Sequence, residues 1–289
     1  LKLGCNIFSE IHDNFDFSSY KFLATVPSVN LFPIPLSIVL GTACKQQNIP
    51  IIYTSDIRAS SEFSIFGNKK SFPNNFVGVG NPIVTEDTFE IAIPGLTSSN
   101  IKRKSNLNNE FAPLPDASEE ILKVGKLFEN KNIFLEENAS ISKALKTAEG
   151  NNYSAIVLAT HGVPFDLSDG YKLPSLLSIE NDNPTLLSAV KINEFDLKQS
   201  TVFLSACDTA SGLLSDPSLY LTGFTESFAN AGSNLIIASL WPVVSKSSKN
   251  YSVNFFKNWK DTNLINGIKS AKNSINKDIN KLPFITVYP

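Results

Sequence analysis

Three predominantly apolar runs constrain this chain more than any other feature: SAIVLA at 154–159, TVFLSA at 201–206 and NLIIASL at 234–240. Each is strand-length, and none alternates polar with apolar, so each predicts a strand buried on both faces. Amphipathic stretches lie between and around them. Asp116 followed by Glu119 resembles a capping box, and Ile121, Leu122, Val124, Leu127 and Phe128 then recur at helical spacing. A second helix is predicted over 140–148, with Ile141, Ala144 and Leu145 on one face. A third covers 219–231, with Leu221, Phe224, Phe228 and Ala229. Shorter strands are predicted at 49–53, 76–79 and 132–135, and a helix at 35–47, while 21–26 is an apolar run ended by Pro27. Buried strands alternating with amphipathic helices give an α/β fold, a mostly parallel sheet flanked by helices. In such sheets, ligands and catalytic groups collect beyond the carboxyl ends of the strands.

Composition excludes several alternatives. The 289 residues are enough for one large α/β unit or two domains, and a hydrophobic share of 42% rules out a disordered chain. The net charge of −2 argues against tracking a nucleic-acid backbone or an acidic membrane surface. The longest apolar run, LIIASLWPVV at 235–244, is broken by Pro242 and is too short to span a bilayer. Three scattered cysteines, Cys5, Cys44 and Cys207, offer neither a disulfide framework nor metal spacing, so a reducing, cytoplasmic location and no metal are expected. Met is absent even at residue 1, which predicts a fragment or processed form. Residues 1–20 are expected to be a linker or the tail of something upstream. Residues 21–289 are expected to form the domain, with an N-terminal portion to about 110 and a core from about 111. The polar stretch 97–110 and the Pro-, Asp-, Ser- and Asn-rich stretch 163–194 are expected to be loops. The glycines of GVGNP (78–82) lack the third glycine and following helix of a dinucleotide loop and suggest a strand-ending turn. DLSDG (166–170) lacks calcium-loop spacing.

Chemistry-bearing residues are few. With only two histidines and three cysteines, a Cys/His pair is easily enumerated. His12 and Cys5 lie in the weakly patterned leader, and Cys44 in an expected helix. His161 and Cys207 each follow a buried strand and are flanked by small residues, Gly162 and Ala206. If those strands are neighbours, an imidazole could take the proton of a thiol, and nearby backbone N–H groups could face a developing oxyanion. Residue type alone leaves two further readings open. Cys207 could be a buried small hydrophobe, and His161 could be held by a backbone carbonyl.

ATHG (159–162), LSACDTASG (204–212) and ANAGSNLIIASLWPV (229–243) resemble the CHAT domain, the caspase- and separase-related cysteine peptidase module often linked to tetratricopeptide repeats. VPSVNLFPIPLS (26–37), VGVGNP (77–82) and APLPDASEEILKVGKLF (112–128) extend the resemblance in the same order. It implies a caspase-like three-layer sandwich and a cysteine endopeptidase working through a Cys-His dyad and an acyl-enzyme. It also implies no cofactor, a protein substrate, and control by a tetratricopeptide-repeat region or regulatory partner. Nucleic acid and membrane are not implied as partners. Carried onto this chain, the resemblance makes Cys207 the nucleophile and His161 its base, with the N–H groups of Gly162 and Cys207 as oxyanion hole. Ser205 shares the strand side of Cys207 and is expected to line the substrate pocket. Asp208 is either a site residue or a solvated loop acid, and Trp241 either a pocket wall or an apolar plug. KLPFITVYP (281–289) departs from the closing segment usual in that family, which leaves the last strand unassigned. The alternative reading is a catalytically latent caspase-like scaffold or protein-binding module.

Overall fold

In a computed structural model, residues 22–25, 50–54, 72–84, 90–92, 111–151, 153–166, 172–207, 223–239, 242–275 and 284–288 are described. The three apolar runs form adjacent or near-adjacent strands of one eight-stranded sheet. In chain order its strands are β1 (Leu23–Thr25), β2 (Ile51–Thr54), β3 (Asn75–Gly80), β5 (Asn130–Leu135), β6 (Ser154–Ala159), β10 (Thr201–Leu204), β11 (Leu235–Ser239) and β12 (Phe284–Tyr288). They lie side by side as β1-β2-β12-β11-β10-β6-β3-β5. All pairings are parallel except β11 with β12. β1 and β2, from the expected N-terminal portion, therefore belong to the same sheet as the core strands.

Alternate strand residues feed two separate apolar layers, as the period of two dictates. Ile156, Leu158, Val202 and Leu204 pack with α2 (Ile141–Ala148), α3 (Ala189–Ile192) and α4 (Phe224–Asn230). Ala155, Val157, Phe203 and Ile237 pack with α1 (Pro115–Gly125), α5 (Ser245–Asp261) and α6 (Leu264–Ile275). The result is a three-layer α/β sandwich. Helix α1 packs on β3 at Gly78, where a Cβ would stand 2.6 Å from the Ile121 side chain. No helix among the described residues is long and apolar enough to cross a membrane.

Several expectations need correction. Asp116 is not a cap: α1 begins with Pro115 at its first position after Leu114, and no side chain caps it. Asp116 and Glu119 instead both pair with Lys249 of α5, the latter at 3.0 Å, and so tie the two helices together. Helix α2 does have a side-chain cap, with Ser140 Oγ accepting from the Lys143 N–H.

The stretch 163–194 is not a loop. It contributes β7 (Gly162–Asp166), β8 (Lys172–Glu180) and β9 (Asn183–Ser188), which with β4 (Glu90–Ala92) form a second sheet in the order β4-β9-β8-β7. Its composition looked loop-like because Ser175, Ser178, Thr185 and Ser188 are buried in it. Ser178 is satisfied there by accepting from the Ile141 N–H at 2.8 Å. The β8–β9 turn uses Asn181 and Asp182, both at positive φ (50° and 66°), as a tight hairpin demands.

The last strand is present, since β12 lodges between β11 and β2. Helices α5 and α6 had no counterpart in the sequence reading. The expected helix 35–47, the loop 97–110 and the leader 1–20 lie outside the described residues.

Candidate active site

Strands β6 and β10 are immediate neighbours, paired in parallel with Leu158 opposite Leu204. That register fixes what lies beyond them. Three residues past Leu158 is His161, and three residues past Leu204 is Cys207. The paired strands therefore deliver both side chains to one end of the sheet at matching depth. Hydrogen bonds hold the two strand exits. The Ser205 N–H donates to the Leu158 carbonyl at 2.8 Å, Ser239 Oγ donates to the Ala206 carbonyl, and the Leu177 N–H donates to the His161 carbonyl at 3.0 Å.

Gly162 makes the close approach possible. A Cβ on it would stand 2.2 Å from the Cys207 carbonyl oxygen and 3.2 Å from the Cys207 nitrogen, so no other residue fits without moving the cysteine backbone. Gly162→Ala is accordingly expected to lower the reaction rate of Cys207 with a peptide-like electrophile by about 100-fold, the usual cost of misplacing a reacting group by roughly 1 Å. Unchanged kinetics in a folded Gly162→Ala protein would show that this contact does not set the position of Cys207.

His161 is half-buried and held from two sides. Its ring lies 5.4 Å from that of Phe111, and Nε2 is 2.9 Å from the Ala112 carbonyl. A carbonyl only accepts, so Nε2 carries the proton and Nδ1 is left as the basic nitrogen. Burial pushes the His161 pKa below its ordinary 6.5, and the Ala112 hydrogen bond opposes this only in part. The imidazole is therefore neutral at neutral pH, the state a base requires.

His161 and Cys207 line a cavity of about 200 Å³ together with Leu114, Ala117, Glu120, Ser205 and neighbouring residues of α5. Ser205 thus shares a cavity with Cys207. Asp208 and Trp241 lie outside the described residues. Among the described residues, no cluster of His, Cys, Asp and Glu could hold a metal ion.

Sequence reasoning missed Glu120. It occupies the inward stripe of α1 with Ala117, Ile121 and Val124, and is 1% exposed. The signal was a glutamate three residues after Ala117 and one before Ile121, on the apolar face instead of the polar one. Its Oε2 accepts from the Ser205 hydroxyl at 2.8 Å, and that hydroxyl also contacts Ser248. Its Oε1 is buried and makes no close hydrogen bond, with the Ser252 hydroxyl near enough only to favour the charged carboxylate. Burial raises the Glu120 pKa from 4.5 to about 7, opposed by the hydroxyls of Ser252 and Ser205 and by Lys249.

This shift has a sign in stability. The folded chain holds the Glu120 proton more tightly than the unfolded chain. The contribution is full below pH 4.5 and disappears as pH rises through about 7. Its full size is on the order of 3 kcal/mol. Glu120→Gln is expected to gain thermal stability over the wild type between pH 5 and pH 8. Melting curves that stay parallel across that range would remove Glu120 as a titrating group.

The family model described as the CHAT domain matches residues 8–281. No curated protein matches the chain by sequence. Among solved structures, the separase–securin complex of Saccharomyces cerevisiae is similar, with a TM-score of 0.53 and 12% identity, covering 92% of this chain and 16% of that one. The Arg-specific cysteine proteinase gingipain R is also similar, with a TM-score of 0.47 and 10% identity, covering 84% of this chain and 54% of that one. The chain thus spans about half of the gingipain chain and about a sixth of the separase assembly's matched chain. The likeness to separase shows a caspase-like fold.

Proposed function

Because the chain belongs to the CHAT domain family, we propose that it is a cysteine endopeptidase in which Cys207 is the nucleophile and His161 its proton acceptor. The observation that carries this reading is the β6–β10 register, which brings both residues three positions past one pair of facing leucines and onto one cavity. Nδ1 of neutral His161 takes the Cys207 proton, and the thiolate attacks the scissile carbonyl carbon. The N–H groups of Gly162 and Cys207 receive the oxyanion. As the tetrahedral intermediate collapses, the C–N bond breaks and His161 returns the proton to the leaving amine. Water, deprotonated by the same imidazole, then hydrolyses the thioester and frees Cys207. Ser205 lines the pocket for the residue preceding the scissile bond. Asp208 and Trp241 remain candidates for contacting substrate beyond it. No cofactor takes part.

The proposed unit is 21–289, preceded by a linker, in a reducing compartment such as the cytoplasm. Separase is solved with securin bound. By analogy, a protein partner or an upstream region such as tetratricopeptide repeats regulates access to this site.

Labelling with a peptide-like, thiol-reactive probe, read by intact mass, tests the reading. Cys207 should react selectively, and His161→Ala should slow that reaction at least about 100-fold, the usual contribution of a positioned base. Slow, equal labelling of Cys5, Cys44 and Cys207, indifferent to His161, would instead support a latent scaffold.

A further inference from the structure

The turn that ends β3 holds a residue the proposed reaction does not yet use. Asn81 has a φ of 53°, in the left-handed region that asparagine enters more readily than most residues. Such backbone persists where surrounding contacts enforce it, and it concentrates at functional sites. Asn81 is 4% exposed, and its backbone N–H and both polar atoms of its side chain are engaged. The N–H donates at 3.1 Å to the carbonyl of Ala159, two residues before His161. Side-chain Oδ1 accepts from the Leu114 N–H, and Nδ2 donates to Ser118 Oγ at 3.0 Å.

Those partners border the segment that holds the imidazole. Leu114 and Ser118 belong to the first turn of α1, which has no side-chain cap of its own. Two residues before Leu114 is Ala112, whose carbonyl accepts from His161 Nε2, and before it stands Phe111, whose buried ring lies beside the imidazole. Pro113 and Pro115 flank Leu114, and each fixes its own φ near about −65°. A shift at Leu114 therefore carries through to Ala112 with little slack. One buried side chain sets the spacing between the exit of β6, which delivers His161, and the carbonyl that its N–H meets.

We infer that Asn81 is a positioning residue for His161: by joining the exit of β6 to the start of α1, it fixes the Ala112 carbonyl on Nε2–H and so keeps Nδ1 as the basic nitrogen. This rests on the proposed peptidase reading, in which His161 is the base. Asn81 does not line the cavity and acts through these contacts alone. Which imidazole nitrogen carries the proton is decided by the hydrogen bond made at the other end of the ring. Without Asn81, Leu114 loses its acceptor and the Ala112 carbonyl is no longer held against Nε2. The Nδ1–H form then gains population, and in that form Nδ1 has no lone pair to take the Cys207 proton.

The test reads the His161 tautomer by imidazole nitrogen NMR, and the rate at which a peptide-like, thiol-reactive probe modifies Cys207. The chain has two histidines, so the spectrum of His161→Ala assigns the signals. The variants are Asn81→Gly, which tolerates the positive φ but removes the amide, and Asn81→Asp, which keeps an acceptor for Leu114 and offers a second to the Ser118 hydroxyl. The wild type should be the Nε2–H form. Asn81→Gly should populate the Nδ1–H form and slow Cys207 by about ten- to 100-fold, as for a displaced base. Asn81→Asp should keep the wild-type tautomer. Four results would each overturn the inference and leave Cys207 as the nucleophile: an Nδ1–H wild type, a folded Asn81→Gly within about two-fold of the wild-type rate, a slowed Asn81→Gly with an unaltered tautomer, or an Asn81→Asp that matches Asn81→Gly. Failure of the probe to select Cys207 over Cys5 and Cys44 in the wild type would overturn the peptidase reading and this inference with it. The wild-type tautomer and Asn81→Asp still decide the matter if Asn81→Gly does not fold.

Discussion

Alanine at position 207 is expected to abolish peptide cleavage, with a fall of about 10⁴-fold or more, because no other group can form the acyl-enzyme. His161→Ala should cost nearly as much. The double substitution should be no worse than Cys207→Ala alone, since a base with no thiol to deprotonate contributes nothing and residues acting as a unit are not additive. Stability should separate cleanly from activity. Cys207 is only half-buried, and truncating it removes one sulfur, so the thermal midpoint should move by less than about 1 kcal/mol in equivalent stability. The measurement is cleavage of a peptide library, followed by mass spectrometry, for the three variants beside the wild type. Wild-type cleavage by a folded Cys207→Ala protein would end the assignment of the nucleophile. Additive losses in the double variant would show that the two residues act independently.

The largest expected loss of stability lies one layer below the site, at Phe203. It is 0% exposed in β10. Its ring centroid lies 5.3 Å from Phe284 of β12, 6.0 Å from Tyr251 and about as far from Phe255 and Phe256 of α5. One side chain thus joins the central strand, the antiparallel strand β12 and the long helix α5. Phe203→Ala opens a cavity among four rings that cannot all move inward, so a loss of about 3–5 kcal/mol is expected. For a chain of this size that lowers the thermal midpoint by roughly 6–15 °C. Phe203→Leu should lose less than half as much. Val244→Ala serves as a control at a 61% exposed position and should be close to neutral. A Phe203→Ala midpoint within about 2 °C of wild type would mean that the aromatic cluster collapses freely around the gap.

The pattern of success in the sequence reading follows from which signals are local. The strands β6, β10 and β11 could be read because residues facing both layers must be apolar, which leaves unbroken runs such as SAIVLA. The α1 and α2 stripes were equally direct. Non-local and compensated features could not be read. The second sheet hides behind buried serines whose hydroxyls are satisfied by other elements, as Ser178 is by the start of α2. A capping box at Asp116 was a reasonable local guess. The carboxylate gains more from Lys249, which is 133 residues away in sequence. Helix α5 is rich in Ser, Asn and Lys, and its inward face is carried by Tyr251, Phe255 and Trp259 at four-residue spacing. In the candidate site, His161 and Cys207 were legible as strand-end residues, but their adjacency depended on which strands pair. Glu120 was overlooked because it stands beside Glu119, and only packing reveals that one points to solvent and the other into the cavity.

The place of β12 bears on how the chain is made. Within the described sheet, β1 pairs only with β2, and β2 reaches the remaining strands only through β12. β12 is synthesised about 230 residues after β2. At roughly 5–20 residues per second, the two early strands leave the ribosome some 10–50 seconds before their neighbour exists. During that interval one edge of the IIYT segment of β2, a row of backbone N–H and C=O groups, lacks its native partner strand. The sheet closes late, when β12 slots in antiparallel beside β11. Nascent chains stalled before residue 284 should therefore be the ones that recruit chaperones through residues 51–54, and release of the finished chain should end that engagement.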